Sequence, residues 1–373
     1  MRFSSELVVD LGLLQENFQK LKKIAPNNQI IFMVKANAYG HGLLDIVKFS
    51  SKSLGVKLFG CASLAEALEI KKEVIDPSME IFVFSDLALE THLDCYIDSN
   101  IFPVLSSMTQ LKLVIESGIE IPIVLKINTG MNRLGIYEKD YSSAIDYLKH
   151  SGVKSIKHLM THFSSSFFKI KKGDRTHRQY SKFLEFKSLL LESQISLKST
   201  SVSNSGAIEQ SFGLEETHIR PGLMLYGARS VGSLKNDEVL WDGKIISSLN
   251  TKVISIEAVK KGTPIGYGGH TCHADGIIAF LPLGYGDGIL TYYSGVNIYH
   301  NGAVGKIIGK VNMDLTAVFF SLDDANKIKI GDKLEFWNHT QESVIEFLTQ
   351  TKSIPYQMFT SITSRVPRRY IYK

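Results

Sequence analysis

With only three cysteines in 373 residues, Cys61, Cys95 and Cys272, the chain lacks the material for a disulfide framework. None belongs to a CxxC pair or has a histidine-rich neighbour, so no metal site is expected and all three read as small buried hydrophobes. No run of about 18 apolar residues exists, which removes any expectation of a membrane-spanning helix. The amino terminus, Met1 to Asp10, has no apolar stretch of the kind that forms a signal core, and a cytoplasmic protein is expected. Charge of one sign is also scarce: 42 Lys and Arg against 37 Asp and Glu give a formal +5. The densest basic stretches, Lys169 to Lys172 and Arg365 to Arg369, are interrupted by apolar or neutral residues, so nucleic-acid binding is not indicated. There is no internal repeat, no low-complexity segment and no GxxxxGK[ST] phosphate loop.

What is present is an ordinary globular composition, 44% apolar and 21% charged, on a chain long enough for two full cores. From about residue 30 to 225, short β-branched or apolar runs alternate with longer amphipathic ones, the signature of parallel strands joined by helices. Candidate strands are Ile30 to Val34, Leu58 to Cys61, Ile81 to Phe84, Phe102 to Leu105, Ile121 to Ile127, Ile156 to His162, Ser199 to Ser203 and His218 to Arg220. They predict an α/β protein whose first domain is a closed (β/α)8 barrel of the TIM type. Ala62 to Val74, rich in Ala, Leu, Glu and Lys, and Tyr180 to Glu192, with Phe183, Phe186, Leu189 and Leu190 at helical spacing, predict core-facing helices. After Gly227 the texture changes to short β-type runs broken by glycine, with one further helical pattern over Glu342 to Thr351. A barrel domain over residues 1–236 and a mostly β domain over 237–373 are expected.

The run Val34-Lys35-Ala36-Asn37-Ala38-Tyr39-Gly40-His41-Gly42 places one lysine directly after a buried apolar strand. At the carboxyl end of a barrel strand, desolvation lowers a lysine pKa from about 10.4 towards that of an amine nucleophile. Condensation with a carbonyl cofactor is the natural use of such an amine; a strand-end lysine snorkelling to solvent fits the local pattern equally well. Lys126, His162, Ser203 and Arg220 also fall at or just past predicted strand ends, where barrel enzymes build their sites.

Further segments extend the pattern: Lys126 to Gly135 (KINTGMNRLG), Met160 to Phe163, Ser203-Asn204-Ser205 and Arg220 to Gly227 (RPGLMLYG). In the last third come Gly266-Tyr267-Gly268, Gly284 to Gly288 (GYGDG), Asn312-Met313-Asp314, Pro355-Tyr356 and Arg365 to Arg368. Together with Val34 to Gly42 they resemble, in order and along essentially the whole chain, the alanine racemases, which interconvert L- and D-alanine with pyridoxal 5′-phosphate (PLP).

The resemblance implies a homodimer with shared active sites and a PLP-carrying lysine at Lys35 that also serves as one of two bases. The second base matches Tyr267 and comes from the partner subunit, with His162 and Arg220 as its supporting neighbours. Arg220 also faces the pyridine nitrogen; because arginine does not give up its proton easily, that nitrogen stays an acceptor and the electron sink is weakened. Arg133 matches the residue that contacts the substrate carboxylate, and Lys126 one that is carbamylated in many members. Tyr39, Ser205 beside Asn204, the backbone at Gly222 and Leu223, and Tyr356 match the phosphate site. Tyr285, Met313 and Asp314 match residues reaching the site from the second subunit, where tyrosines narrow the entrance for a small side chain. D-alanine supply for peptidoglycan is the implied role.

The chain departs from the family pattern at Asn128, where many members have Asp, at Ser164-Ser165-Ser166-Phe167, and after Gly288, where Leu290 and Thr291 stand near an expected arginine. The serines closely follow His162, so serine or a broader substrate range is an alternative to alanine. Two further alternatives are a basic amino-acid decarboxylase, to whose Thr-Cys-Asp segment Thr271-Cys272-His273 bears a faint likeness, and a non-catalytic PLP carrier, a class that resembles the first domain only.

Overall fold

The computed structural model describes residues 3–86, 93–97, 99–230 and 239–372. The expected domain boundary between residues 236 and 237 lies outside the described residues. Eight parallel strands form a closed ring among the described residues. They are β1 (Gln29–Met33), β2 (Leu58–Cys61), β3 (Glu80–Val83), β4 (Ile101–Leu105), β5 (Val124–Asn128), β6 (His158–Met160), β7 (Thr200–Asn204) and β8 (His218–Arg220). The ring shuts where His218 and Ile219 of β8 pair with Gln29 and Ile30 of β1. Strands covered on both faces must be apolar throughout, and Ile31, Phe32, Phe59, Ile81, Leu125 and Leu159 are all fully buried.

The connecting helices start where the sequence supplies a cap. Leu64–Glu73 begins at a reciprocal capping box between Ser63 and Glu66. Arg175–Glu192 begins at Asp174, whose carboxylate accepts from the His177 N–H at 2.8 Å, and it buries Phe183, Phe186 and Leu190 against the barrel. No helix among the described residues is long and apolar enough to cross a membrane.

A nine-stranded sheet makes up most of the remainder, and the expected helix near its end runs over Gln341–Thr351. One of its strands is Ser5–Asp10, from the segment expected in the barrel domain: it pairs antiparallel with Ser247–Lys252 and parallel with Arg368–Ile371. The chain thus starts in the second sheet, crosses to the barrel and returns. This exchange ties the two cores together, and Glu6, buried to 1% exposure, is held there by both Nε and Nη2 of Arg369. Of the cysteines, Cys61 and Cys272 are buried, whereas Cys95 is half-buried.

Candidate active site

Lys35 follows Val34 at the carboxyl end of β1, but the strand does not run on into it. Ala36, Asn37, Ala38 and Tyr39 all have φ between 51° and 56°, a left-handed turn built without glycine. For L-residues that conformation costs roughly 1–2 kcal/mol each, so surrounding bonds must hold it. Asn37 Oδ1 accepts from the Leu43 N–H at 2.7 Å, the Asn37 N–H donates to Glu66 Oε1 at 3.3 Å, and the Gly40 N–H donates to the Ala36 carbonyl at 2.9 Å. From the carboxyl-terminal strand Arg368 reaches across to the Gly40 carbonyl at 2.9 Å. The turn reverses the chain tightly and sends Lys35 and Tyr39 to one cavity.

That cavity, of about 280 Å³, sits at the carboxyl ends of the barrel strands. Its volume is near the lower end of the range for small-molecule sites. Ten of the expected residues line it: Lys35, Tyr39, Lys126, Arg133, His162, Asn204, Ser205, Arg220, Gly222 and Tyr356. The nine barrel residues come from five strands and the loops after them, β1, β5, β6, β7 and β8, with Lys126 inside β5, whereas Tyr356 comes from the short helix Pro355–Thr360 of the second domain. Leu223 is buried beside Gly222 and does not line the cavity.

Tyr267, Tyr285, Met313 and Asp314 form no part of this cavity within one chain. Tyr267 is 72% exposed and Met313 56%. The loops at Tyr285 and Met313 are joined by the Tyr285 N–H to the Asn312 carbonyl at 2.9 Å and the Gly286 N–H to the Met313 carbonyl at 2.8 Å. Met33, Phe84, Ser85, Leu134, Met160 and Thr161 also line the cavity and were not expected. Phe84 and Thr161 lie at strand ends already recognised in the sequence, a positional signal that could have found them. Ser164, Ser165 and Ser166 do not line it; Ser164 is bonded to Gln179 and Ser166 to Asn204.

The lining holds two lysines, two arginines and no carboxylate. Burial lowers Lys35, and the nearby Arg133 lowers it further against the opposing pull of Glu66. Lys126 is pushed down to about 7 by burial and then by Arg133, Arg220 and Lys35. Burial and the same cations hold His162 well below the ordinary imidazole value, so its ring is neutral. Burial brings Arg220 down to about 9, which leaves it charged at neutral pH. Such a site takes a dianion or several anionic groups and repels cations.

One wall is shaped for a phosphate-bearing ring. Ser205 Oγ accepts from the Gly222 N–H at 3.0 Å and the Met224 N–H at 3.4 Å, which fastens it to the start of a short 3-10 turn. Tyr39 stacks on Tyr226 with ring centres 4.7 Å apart and lies 6.0 Å from the Tyr356 ring, so two phenols face the same corner. A Cβ at Gly222 would come 2.2 Å from Tyr39 Oη, so only glycine leaves this corner open. The donor set fits PLP: an amine of lowered basicity, hydroxyl and backbone donors for a phosphate, and a guanidinium deep in the barrel. Gln179 holds the backbone at His162, its Nε2 donating to the His162 carbonyl at 3.1 Å.

Comparison with known proteins bears on the chain as a whole. Residues 9–230 match the family model of the alanine racemase N-terminal domain and residues 246–370 that of the alanine racemase C-terminal domain. An alanine racemase from Fusobacterium nucleatum is 32% identical over 96% of this chain and 98% of its own length. One from Borreliella burgdorferi is 31% identical over 100% and 98%. Among solved structures, the biosynthetic alanine racemase of Pseudomonas aeruginosa superposes with a TM-score of 0.82 at 28% identity, covering 100% of both chains. That of Acinetobacter baumannii gives 0.81 at 26% identity over 99% of each. With both domain models matched in order and relatives aligned end to end, the chain belongs to the alanine racemase family.

Proposed function

We propose that this protein is a PLP-dependent isomerase that interconverts L- and D-alanine through two bases. The observation that carries the reading is Lys35, an amine of lowered basicity in a cavity lined by three further cations and no carboxylate. PLP, bound there, supplies an electron sink that makes the α-proton of an amino acid removable. Lys35 would hold the cofactor and, as a free amine, would take or return the proton on one face of the α-carbon.

Tyr39, Ser205, Tyr356 and the backbone at Gly222 and Leu223 bind the phosphate, with Asn204 capping the helix that carries Ser205. Arg220 would donate to the cofactor ring, and Arg133 would grip the substrate carboxylate with a fixed guanidinium fork. Lys126 as a carbamate would be an anion between Arg133 and Arg220, which relieves the crowding of cations around it. Tyr267 of the partner subunit works on the opposite face, supported by His162 and Arg220, while Tyr285, Met313 and Asp314 narrow the entrance from that side. Exposure of Tyr267 and Met313 in the single chain supports this shared-site dimer. Ser164, Ser165 and Ser166 do not line the cavity, which removes the ground for serine as the substrate and leaves alanine. We assign the activity to the cytoplasm and to supply of D-alanine for peptidoglycan. Borohydride reduction of the PLP-loaded protein followed by peptide mass mapping tests the placement: a pyridoxyl adduct on Lys35 is expected, and an adduct elsewhere refutes it.

A further inference from the structure

Below the cavity, inside the barrel, lies a set of polar side chains that the reaction as described does not use. His158 on β6 is completely buried, and its ring is flanked by Phe82 at 5.5 Å and by His218 edge-on at 5.3 Å. Its Nε2 is 2.6 Å from Oγ of Ser201, in β7, and its Nδ1 is 2.6 Å from Oγ of Ser199, just before β7. Ser201 Oγ in turn meets Nη1 of Arg220, and Ser199 Oγ donates to the Lys157 carbonyl at 2.7 Å.

The chemistry of the groups fixes the direction of every bond. A guanidinium only donates, so Ser201 Oγ must accept from Arg220 and is left with its own hydrogen to give. Ser199 gives its one hydrogen to the Lys157 carbonyl, so His158 Nδ1 is the donor between them, and in the neutral ring Nε2 is left to accept the Ser201 hydrogen. Four hydrogen bonds thus run one way, from a buried cation to a backbone acceptor, and each polarises the next. The other side of the guanidinium is held as well, Nη2 donating to the Thr161 and Val202 carbonyls.

We propose that His158, acting through Ser201, is a positioning residue that aims the Arg220 guanidinium into the barrel-mouth cavity and keeps its charge there. Protonation of His158 would turn Nε2 into a donor, leave the Ser201 hydrogen without its acceptor and set two cations on one hydroxyl. The surroundings oppose that protonation: burial acts first, and the facing groups His218, Arg220 and Lys157 all add to it. His218 is itself pushed down to about 4 by burial, against the pull of Glu80. Glu80 is paired with Lys157 at 2.9 Å, which closes the barrel floor over the chain.

The consequence for catalysis rests on the reading of Arg220 as the partner of the cofactor ring, but the chain itself does not. Nitrogen-15 NMR of the full-length wild-type protein, with and without PLP, reads the tautomer directly. A neutral His158 ring with hydrogen on Nδ1 is expected in both; hydrogen on Nε2, or a charged ring at neutral pH, overturns the chain whether or not PLP is the cofactor. Three variants then test its purpose. Ser201→Ala and His158→Phe should each shift the absorption band of bound PLP and lower kcat by ~10- to 100-fold with a smaller change in KM. Their double variant should be no worse than either, and His158→Gln, which restores an acceptor for Ser201, should recover part of the loss. Folded variants that keep the wild-type band and kcat would show His158 to be ordinary core packing. Should the variants fail to fold, the tautomer measurement alone decides.

Discussion

Gly222 stands so close to Tyr39 that a single added carbon would lie 2.2 Å from the phenol oxygen. The backbone at Gly222 has no left-handed requirement, so the demand for glycine is one of space in the phosphate corner. Gly222→Ala should therefore fold, displace the Tyr39 phenol and weaken PLP binding by at least tenfold, about 1.4 kcal/mol. Titration of PLP into the cofactor-free protein measures it, and unchanged affinity would show that Tyr39 does not contact the phosphate.

Lys126 gives a pH prediction with a definite sign. Its folded value of about 7 lies below the ordinary lysine value, so between about pH 7 and 10 the unfolded chain binds the extra proton. Stability should rise with pH across that window and be lowest where Lys126 is forced to be charged. The slope attributable to one such group is about 1.4 kcal/mol per pH unit. Denaturant unfolding of the cofactor-free protein in carbon dioxide-free buffer, compared with Lys126→Met, isolates it: the variant should be the more stable at pH 7 and show the shallower rise. Parallel curves would mean that Lys126 is not held below its ordinary value.

The same lysine, held far below the ordinary lysine value and so part-neutral near pH 7, is able to react with carbon dioxide. Adding bicarbonate to stripped enzyme should raise activity, and Lys126→Ala should lose roughly tenfold in kcat/KM, partly recovered by a small added carboxylate such as acetate. No response to either addition would remove the carbamate from the account.

Arg220 is expected to weaken the electron sink by leaving the ring nitrogen unprotonated. Arg220→Glu should raise the ratio of transamination to racemisation, read by pyruvate formation during alanine turnover. An unchanged ratio would contradict the role given to Arg220.

Most of this site could be read in the chain. All eight barrel strands overlap short β-type runs visible in the sequence, and Lys35, His162 and Arg220 fall at or just past their ends, with Lys126 two residues before the end of β5, because a parallel barrel leaves the strand termini open for chemistry. The left-handed turn from Ala36 to Tyr39 was not legible, since alanine and tyrosine carry no local preference for it and the bonds that hold it come from Glu66, Leu43 and Arg368. Ser5–Asp10 joins the second sheet through partners more than 200 residues away, which no local pattern reports. His158 was passed over for a related reason: one histidine in an apolar strand looks like core until Ser201 and Arg220, from two other strands, are seen around it.

Shared sites make a prediction about mixtures. Lys35→Ala and Tyr267→Phe homodimers should both be nearly inactive, yet mixing them should restore up to about a quarter of the wild-type rate. Random exchange puts half the subunits into hybrids, in which one of the two sites keeps both residues. Absence of rescue after subunit exchange, verified by native mass spectrometry, would confine each site to one chain.

The central claim is that Lys35 and Tyr267 exchange the α-proton of alanine on opposite faces. It is tested most directly by proton NMR of L-alanine with the PLP-loaded protein in deuterium oxide. The account predicts loss of the α-proton signal together with D-alanine carrying deuterium, faster for alanine than for serine or lysine, and abolished in Lys35→Ala. Exchange without inversion, carbon dioxide release from lysine, or no exchange with any of the three would contradict it.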